Sequence, residues 1–233
     1  MSRGVAGGRS SRLWWIVLPV AALLLWGVTH GQKGATDASS TPSGSASGHG
    51  GGSGAGGASP SPSGTGGSWY TGSYDPSQFA AQVRQRAKEA GVDPQLVMAI
   101  LYNEDYKPHD PAFERAWLKI KPTAALGIAN MHEATYDQVK QGHSFADRPW
   151  TSLPDDPDLA IEAEAWCLHD LATDLPAQRT GSLTEDQLLA LGYNTGPGNM
   201  LAFAHGVTVG PQAQQYLDTL NSNWAKAGKA IAI

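Results

Sequence analysis

A single cysteine, Cys167, in 233 residues leaves no intrachain disulfide to form and no cysteine-rich zinc site to build. Basic residues are scarce where a nucleic-acid surface would need them. Up to Ser68 four of them (Arg3, Arg9, Arg12, Lys33) face one acid, Asp37, a balance of +3; the formal net charge is −5, so the rest carries −8. An acidic domain without a basic stripe argues against nucleic acid as a partner. Residues 30–68 lack any apolar side chain larger than alanine apart from proline, and consist almost wholly of Gly, Ser, Ala, Pro and Thr. Such a stretch buries too little to offset its ordering entropy, so it is expected to be a disordered linker. As a Gly/Ser coil its mean reach is roughly 35 Å, which suits a tether. Strand-like alternation is missing from residues 69–233, so the fold class is mainly α, with β structure limited to a small hairpin at most.

What is present begins with a membrane signal. Arg3, Arg9 and Arg12 form a basic segment over residues 1–12, expected on the cytoplasmic side. The uncharged run LWWIVLPVAALLLWGV follows. Its 16 or so residues give roughly 24 Å of helix against a hydrocarbon core of roughly 30 Å. Trp14, Trp15 and Trp26 stand near its two ends, as interfacial aromatics do. Residues 13–29 therefore read as a transmembrane anchor, and the missing A-x-A pattern favours this over a cleavable signal peptide. No lipidation cysteine follows. In either case the rest of the chain is expected outside the bacterial cytoplasmic membrane, with the membrane as a partner through this segment.

Residues 69–233 are one domain's worth of ordinary globular composition. Asp-Pro recurs at Asp75-Pro76, Asp93-Pro94, Asp110-Pro111 and Asp156-Pro157. Aspartate caps a helix and proline fits its first position, so each pair predicts a helix start. Phe79, Val83, Ala87 and Ala90 make one stripe closed by Gly91; Asp75 with Gln78 and Thr184 with Gln187 fit capping boxes. Residues 158–175 are apolar on most faces, which predicts a helix buried in the middle of the domain. Residues 211–224 supply the last helix.

One helix end is chemically odd. In ILYNEDYKPHD two acids, Glu104 and Asp105, stand where the helix dipole is already negative. Leu96, Ile100 and Glu104 are four apart, so Glu104 continues a core-facing stripe. Burial and the helix end both disfavour its ionisation, and a carboxyl kept protonated near neutrality is what a general acid needs. The plainer alternatives are a carboxylate that snorkels to water or pairs with Lys107.

Three blocks resemble the lytic transglycosylases of the soluble-transglycosylase type, relatives of goose-type lysozyme. MAILYNEDY stands where that family has its glutamate helix. Gly127, Ile128, Ala129 and Asn130 stand in place of Gly-Leu-Met-Gln, and ALGYNTGPGNM matches the final Tyr-Asn-Ala-Gly block through Tyr193, Asn194, Gly196 and Gly198. Asp105, Ala129 and Asn130 depart from the family's Ser, Met and Gln, and its central-helix glycine is replaced near Glu162 or Ala163. The resemblance implies a lysozyme-like domain that cleaves the β-1,4 bond between N-acetylmuramic acid and N-acetylglucosamine in peptidoglycan. Glu104 would act as acid and then as base, giving a 1,6-anhydro product without a cofactor or metal. Tyr193, Asn194, Asn130, Ala129 and Asp105 would serve substrate binding, with the Tyr193 hydroxyl near Glu104. A hydrolytic muramidase using Asp105, Asp110 or Glu114 as second carboxylate, and a non-catalytic wall-binding module, remain alternatives.

Other constellations reduce to structure. His132-Glu133 has Tyr136 where a zinc motif needs its second histidine. The acids Asp155, Asp156 and Asp158 read as helix capping, and Cys167 as an inert core thiol. Trp117, Trp150, Trp166 and Trp224 are core candidates, with Trp150 a possible lining of a sugar groove.

Overall fold

The computed structural model describes residues 74–232. The basic segment 1–12, the anchor or signal 13–29 and the linker 30–68 lie outside the described residues, as do residues 69–73. Among the described residues no helix is long and apolar enough to cross a membrane.

Each Asp-Pro pair opens a helical element, and each aspartate carboxylate accepts a backbone N–H: Asp75 from Ser77, Asp93 from Gln95, Asp110 from Phe113, Asp156 from Leu159. Such a cap stabilises a helix by about 1 kcal/mol. The first opens a 3-10 turn, Pro76–Phe79, that runs into α1 (Ala80–Ala90). The expected box at Asp75 does not close, because Gln78 donates to the Asp75 carbonyl and the carboxylate takes Ser77 instead. The others open α2 (Pro94–Glu104), α3 (Pro111–Ile120) and α5 (Pro157–Asp174); α4 (Glu133–Val139) lies between. Thr184 and Gln187 form a complete capping box at the start of α6 (Glu185–Thr195). Gly91 ends α1 in the left-handed region, at φ 70°.

The domain is mainly helical. Its β content among the described residues is an isolated antiparallel bridge between Leu126 and Met131. α2 is the central rod: every residue from Leu96 to Glu104 is buried, so more than one stripe faces the core. α1, α5, α6 and α8 (Pro211–Ile231) pack around it. α8 runs seven residues past the expected end at Trp224, because Ala227 and Ala230 extend its buried face. Polar side chains fix its register on α2. Gln95 Nε2 donates to the Trp224 carbonyl (2.9 Å) and Asn103 Nδ2 to the Tyr216 carbonyl (3.1 Å). Gly228 lets Gln95 reach across, since a Cβ there would lie 2.9 Å from Gln95 Nε2 and push that side chain aside.

The two motif glycines differ in role, and two smaller expectations change. Gly196, at φ 88°, makes the turn between α6 and α7 (Pro197–Ala204), whereas Gly198 is an ordinary helical residue with open space around it. Of the three clustered acids only Asp156 caps a helix; Asp158 pairs with Arg86 and Asp155 with Arg115. Trp117 is not in the core but 44% exposed, because the inward side of α3 is given to Glu114 and Leu118.

Candidate active site

Glu104 is the last residue of α2 and is 7% exposed. Its carboxylate does not pair with Lys107, which donates instead to the Ala125 carbonyl (3.0 Å) and approaches Glu114 (3.6 Å). Two donors reach Glu104 from elsewhere in the fold. Asn130 Nδ2 lies 3.1 Å from Oε2 and also donates to the Glu104 main-chain carbonyl (2.9 Å), one of the groups left open at a helix end. The Tyr216 hydroxyl, from α8, lies 3.1 Å from Oε1. Burial raises the Glu104 carboxyl above its ordinary value, with the Asn130 and Tyr216 donors and the charge of Lys107 pulling the other way. The result is a fixed carboxyl that holds its proton more tightly than a surface glutamate.

The loop that presents Asn130 is held by side chains at four of its backbone atoms. Lys107 takes the Ala125 carbonyl, Glu114 Oε2 accepts the Gly127 N–H (2.7 Å), and Trp150 Nε1 donates to the Met131 carbonyl (2.8 Å). The Tyr193 hydroxyl donates to the Ala129 carbonyl (2.7 Å). Gly127 is at φ 71°, and a Cβ there would lie 2.9 Å from the Leu153 Cβ, so no other residue fits. Asn130 itself is at φ 47°, unusual for a residue with a side chain and enriched at sites where geometry matters. Glu114 is 3% exposed and also meets His109 Nδ1 at 3.2 Å, which binds α3 to the turn after α2.

The six expected site residues are thus distributed unevenly. Glu104 and Asn130 are in direct contact. Tyr193 comes near, but its hydroxyl serves the Ala129 carbonyl. Ala129 is fully buried, so it contributes backbone only. Asn194 is exposed near the end of α6. Asp105 caps α2 and lines an open cleft of about 370 Å³ together with Tyr74, Tyr106, Lys107, Pro108, His109 and Asp110. Burial raises the Asp105 carboxyl as well. Asp110 is a helix cap and Glu114 a loop clamp, which leaves neither free as a second acid. Trp150 is buried and clamps the loop, so it lines no groove.

Two participants escape sequence reading. Tyr216 sits one residue before Leu217 in the buried stripe of α8, and only the long-range packing of α8 on α2 brings it to Glu104. Glu164 is fully buried in α5, and neither carboxyl oxygen has a hydrogen-bond partner among the described residues. Burial raises Glu164 well above the ordinary range, and the charge of Glu104 adds to this. Burial also raises the Tyr216 and Tyr193 phenols, helped at Tyr216 chiefly by Glu104 and at Tyr193 chiefly by Glu164, so both remain donors. Burial pushes the Cys167 thiol up to about 12, as an inert core thiol requires.

Tyr216→Phe removes a donor that favours ionised Glu104. A hydrogen bond to a charged group contributes about 1.5 kcal/mol, so losing it should raise the Glu104 pKa further. A carboxyl ¹³C NMR titration reads this directly; an unchanged midpoint means that the contact is not made in solution.

No family model matches the chain, and no curated protein or solved structure matches it either.

Proposed function

We propose that the domain is lysozyme-like and cleaves the β-1,4 bond between N-acetylmuramic acid and N-acetylglucosamine in peptidoglycan strands outside the cytoplasmic membrane. In this reading it is a relative of the lytic transglycosylases, held near the membrane by residues 13–29 and given reach by residues 30–68. The observation that carries it is Glu104: a buried carboxyl at a helix end, held by Asn130 and Tyr216, directly before Asp105, which lines an open cleft.

The chemistry needs little else. Protonated Glu104 gives its proton to the glycosidic oxygen as the bond breaks and an oxocarbenium-like muramoyl centre forms. The glutamate is then a carboxylate, stabilised by the two donors that face it, and takes the proton of the muramoyl C6 hydroxyl. That oxygen closes on the anomeric carbon and the 1,6-anhydro ring results, so the enzyme ends with the proton it began with. Burial favours the acid before the first step, and the donors favour the base after it. Asn130 is committed to Glu104, and Tyr193 to the loop, so both act by positioning. Asp105 and Asn194 are the expected site residues left exposed to meet sugar.

Asp105 favours the hydrolytic alternative, since it lines the cleft and has no side-chain partner among the described residues to occupy it. Product mass separates the two. Sacculi incubated with the full chain should release muropeptides one water lighter than those with reducing ends. Reducing-end products alone would move the assignment to a muramidase, and no release at all would leave a binding module.

A further inference from the structure

α3 is turned inside out. Its inward side carries Glu114, while its outward side carries a continuous apolar stripe of Ala112, Phe113, Ala116, Trp117 and Ile120. Phe113 is 50% exposed and Ile120 74%, and Tyr106, in the turn before α3, is 73% exposed. With Trp117 these are four of the five large apolar side chains exposed among the described residues. A helix of ordinary design would present the opposite face to water. The burial of Glu114, held by Gly127 N–H, His109 and Lys107, fixes which face looks out.

Three features say what covers this face. It is continuous with the cleft that Asp105 lines: Tyr106 and Asp110 line that cleft too, and Asp110 is also the cap from which α3 starts. The Phe113 and Trp117 rings lie within 8° of parallel, at 6.5 Å between centroids, so they offer one orientation to flat apolar groups. Finally, Lys119 and Lys121 flank the stripe, and neither forms an ion pair with a carboxylate among the described residues. A protein partner is a poor fit, because a helix of this length offers about 15 Å by 10 Å, far below the roughly 800 Å² per partner of a stable interface.

We propose that the outward face of α3 is a platform on which a glycan strand continues past the cleft, its pyranose rings stacking on Phe113 and Trp117. The C–H face of a pyranose packs on an aromatic ring, and the carboxylates of peptide stems meet Lys119 and Lys121. This deepens the reading of Glu104 as a glycan-cleaving acid and rests on it for the identity of the strand. Phe113 and Trp117 hold substrate remote from the broken bond, so their role is binding and not chemistry.

The test uses the full chain carrying Glu104→Gln, so that binding is measured without turnover. Adding Phe113→Ala and Trp117→Ala should weaken binding to purified sacculi by about tenfold or more, as loss of an aromatic anchor does. Phe113→Tyr with Trp117→Phe keeps both rings and should restore it, which separates stacking from folding. In the otherwise wild-type chain the alanine pair should raise KM for long strands and leave kcat near its original value. Unchanged sacculus binding overturns the platform. So does loss of self-association in sedimentation equilibrium without loss of glycan binding, or loss of binding only to phosphatidylglycerol vesicles. If the wild-type chain releases no fragments yet binding still depends on the rings, the cleavage reading falls and the platform stands.

Discussion

Glu104→Gln should reduce release of soluble glycan fragments by about a thousandfold or more, the scale of a lost general acid, while the domain becomes no less stable at neutral pH. Both halves follow from one fact. The carboxyl is buried and its folded-state pKa is raised. Above the unfolded value near 4.5 the unfolded chain gives up this proton and the native state still keeps it, so stability falls as pH rises toward the folded pKa. Glutamine has nearly the same shape and carries no such penalty: its carbonyl can accept from Asn130 while its amide N–H donates to the Tyr216 hydroxyl oxygen. Activity and stability therefore move in opposite directions, which a residue that merely supports the fold does not do. Activity should also fall on the alkaline side as Glu104 loses its proton. Urea unfolding of both proteins at pH 5 and pH 8, beside the fragment assay, checks the pair of effects. A variant that is inactive and markedly less stable at pH 8 would assign Glu104 to structure.

The elements were legible because their signals are local. Asp-Pro pairs, the Thr184–Gln187 box and Gly91 act within a few residues, and each caps or ends a helix in the structure. The burial of Glu104 was legible for the same reason, as the next member of a stripe that begins at Leu96. What failed to read depends on distance. Tyr216 is 112 residues from Glu104 in sequence, and nothing in PQAQQYLDTL marks it as more than an amphipathic helix position. The loop clamps of Lys107, Glu114 and Trp150 join segments whose mutual placement only packing determines. Trp117 misled in a different way: read as a core candidate, it faces out because the burial of Glu114 sets which side of α3 looks inward. The three-block resemblance named Asn130 as a substrate-binding residue, whereas in the structure its side chain is on Glu104. Tyr193 was expected near Glu104 with its hydroxyl positioning the carboxyl or the sugar; in the structure that hydroxyl donates to the Ala129 carbonyl, in the loop that carries Asn130.

Replacing Glu164 by methionine should stabilise the domain at pH 8 by about 2–4 kcal/mol, and by much less at pH 5. Glu164 lies in α5 at 0% exposure, with both carboxyl oxygens unpartnered among the described residues. An unpaired charge in such a place costs several kcal/mol, so the native state keeps this group protonated. The unfolded chain does not, and each pH unit above about 4.5 then removes up to about 1.4 kcal/mol from stability until the folded pKa is reached. Glu104 titrates first of the two, because it has two donors to stabilise its charge, and that charge makes loss of the Glu164 proton harder still. Methionine is close to glutamate in length and unbranched, and needs no partner in a dry interior. Urea unfolding at half-unit steps from pH 5 to 8.5 should give a steep decline for the wild type and a shallower one for Glu164→Met. Parallel curves would mean that Glu164 is hydrated and ionised in solution, and that the interior behind Glu104 is wet. A dry interior is what gives Glu104 its raised pKa, so the same measurement bears on the acid itself.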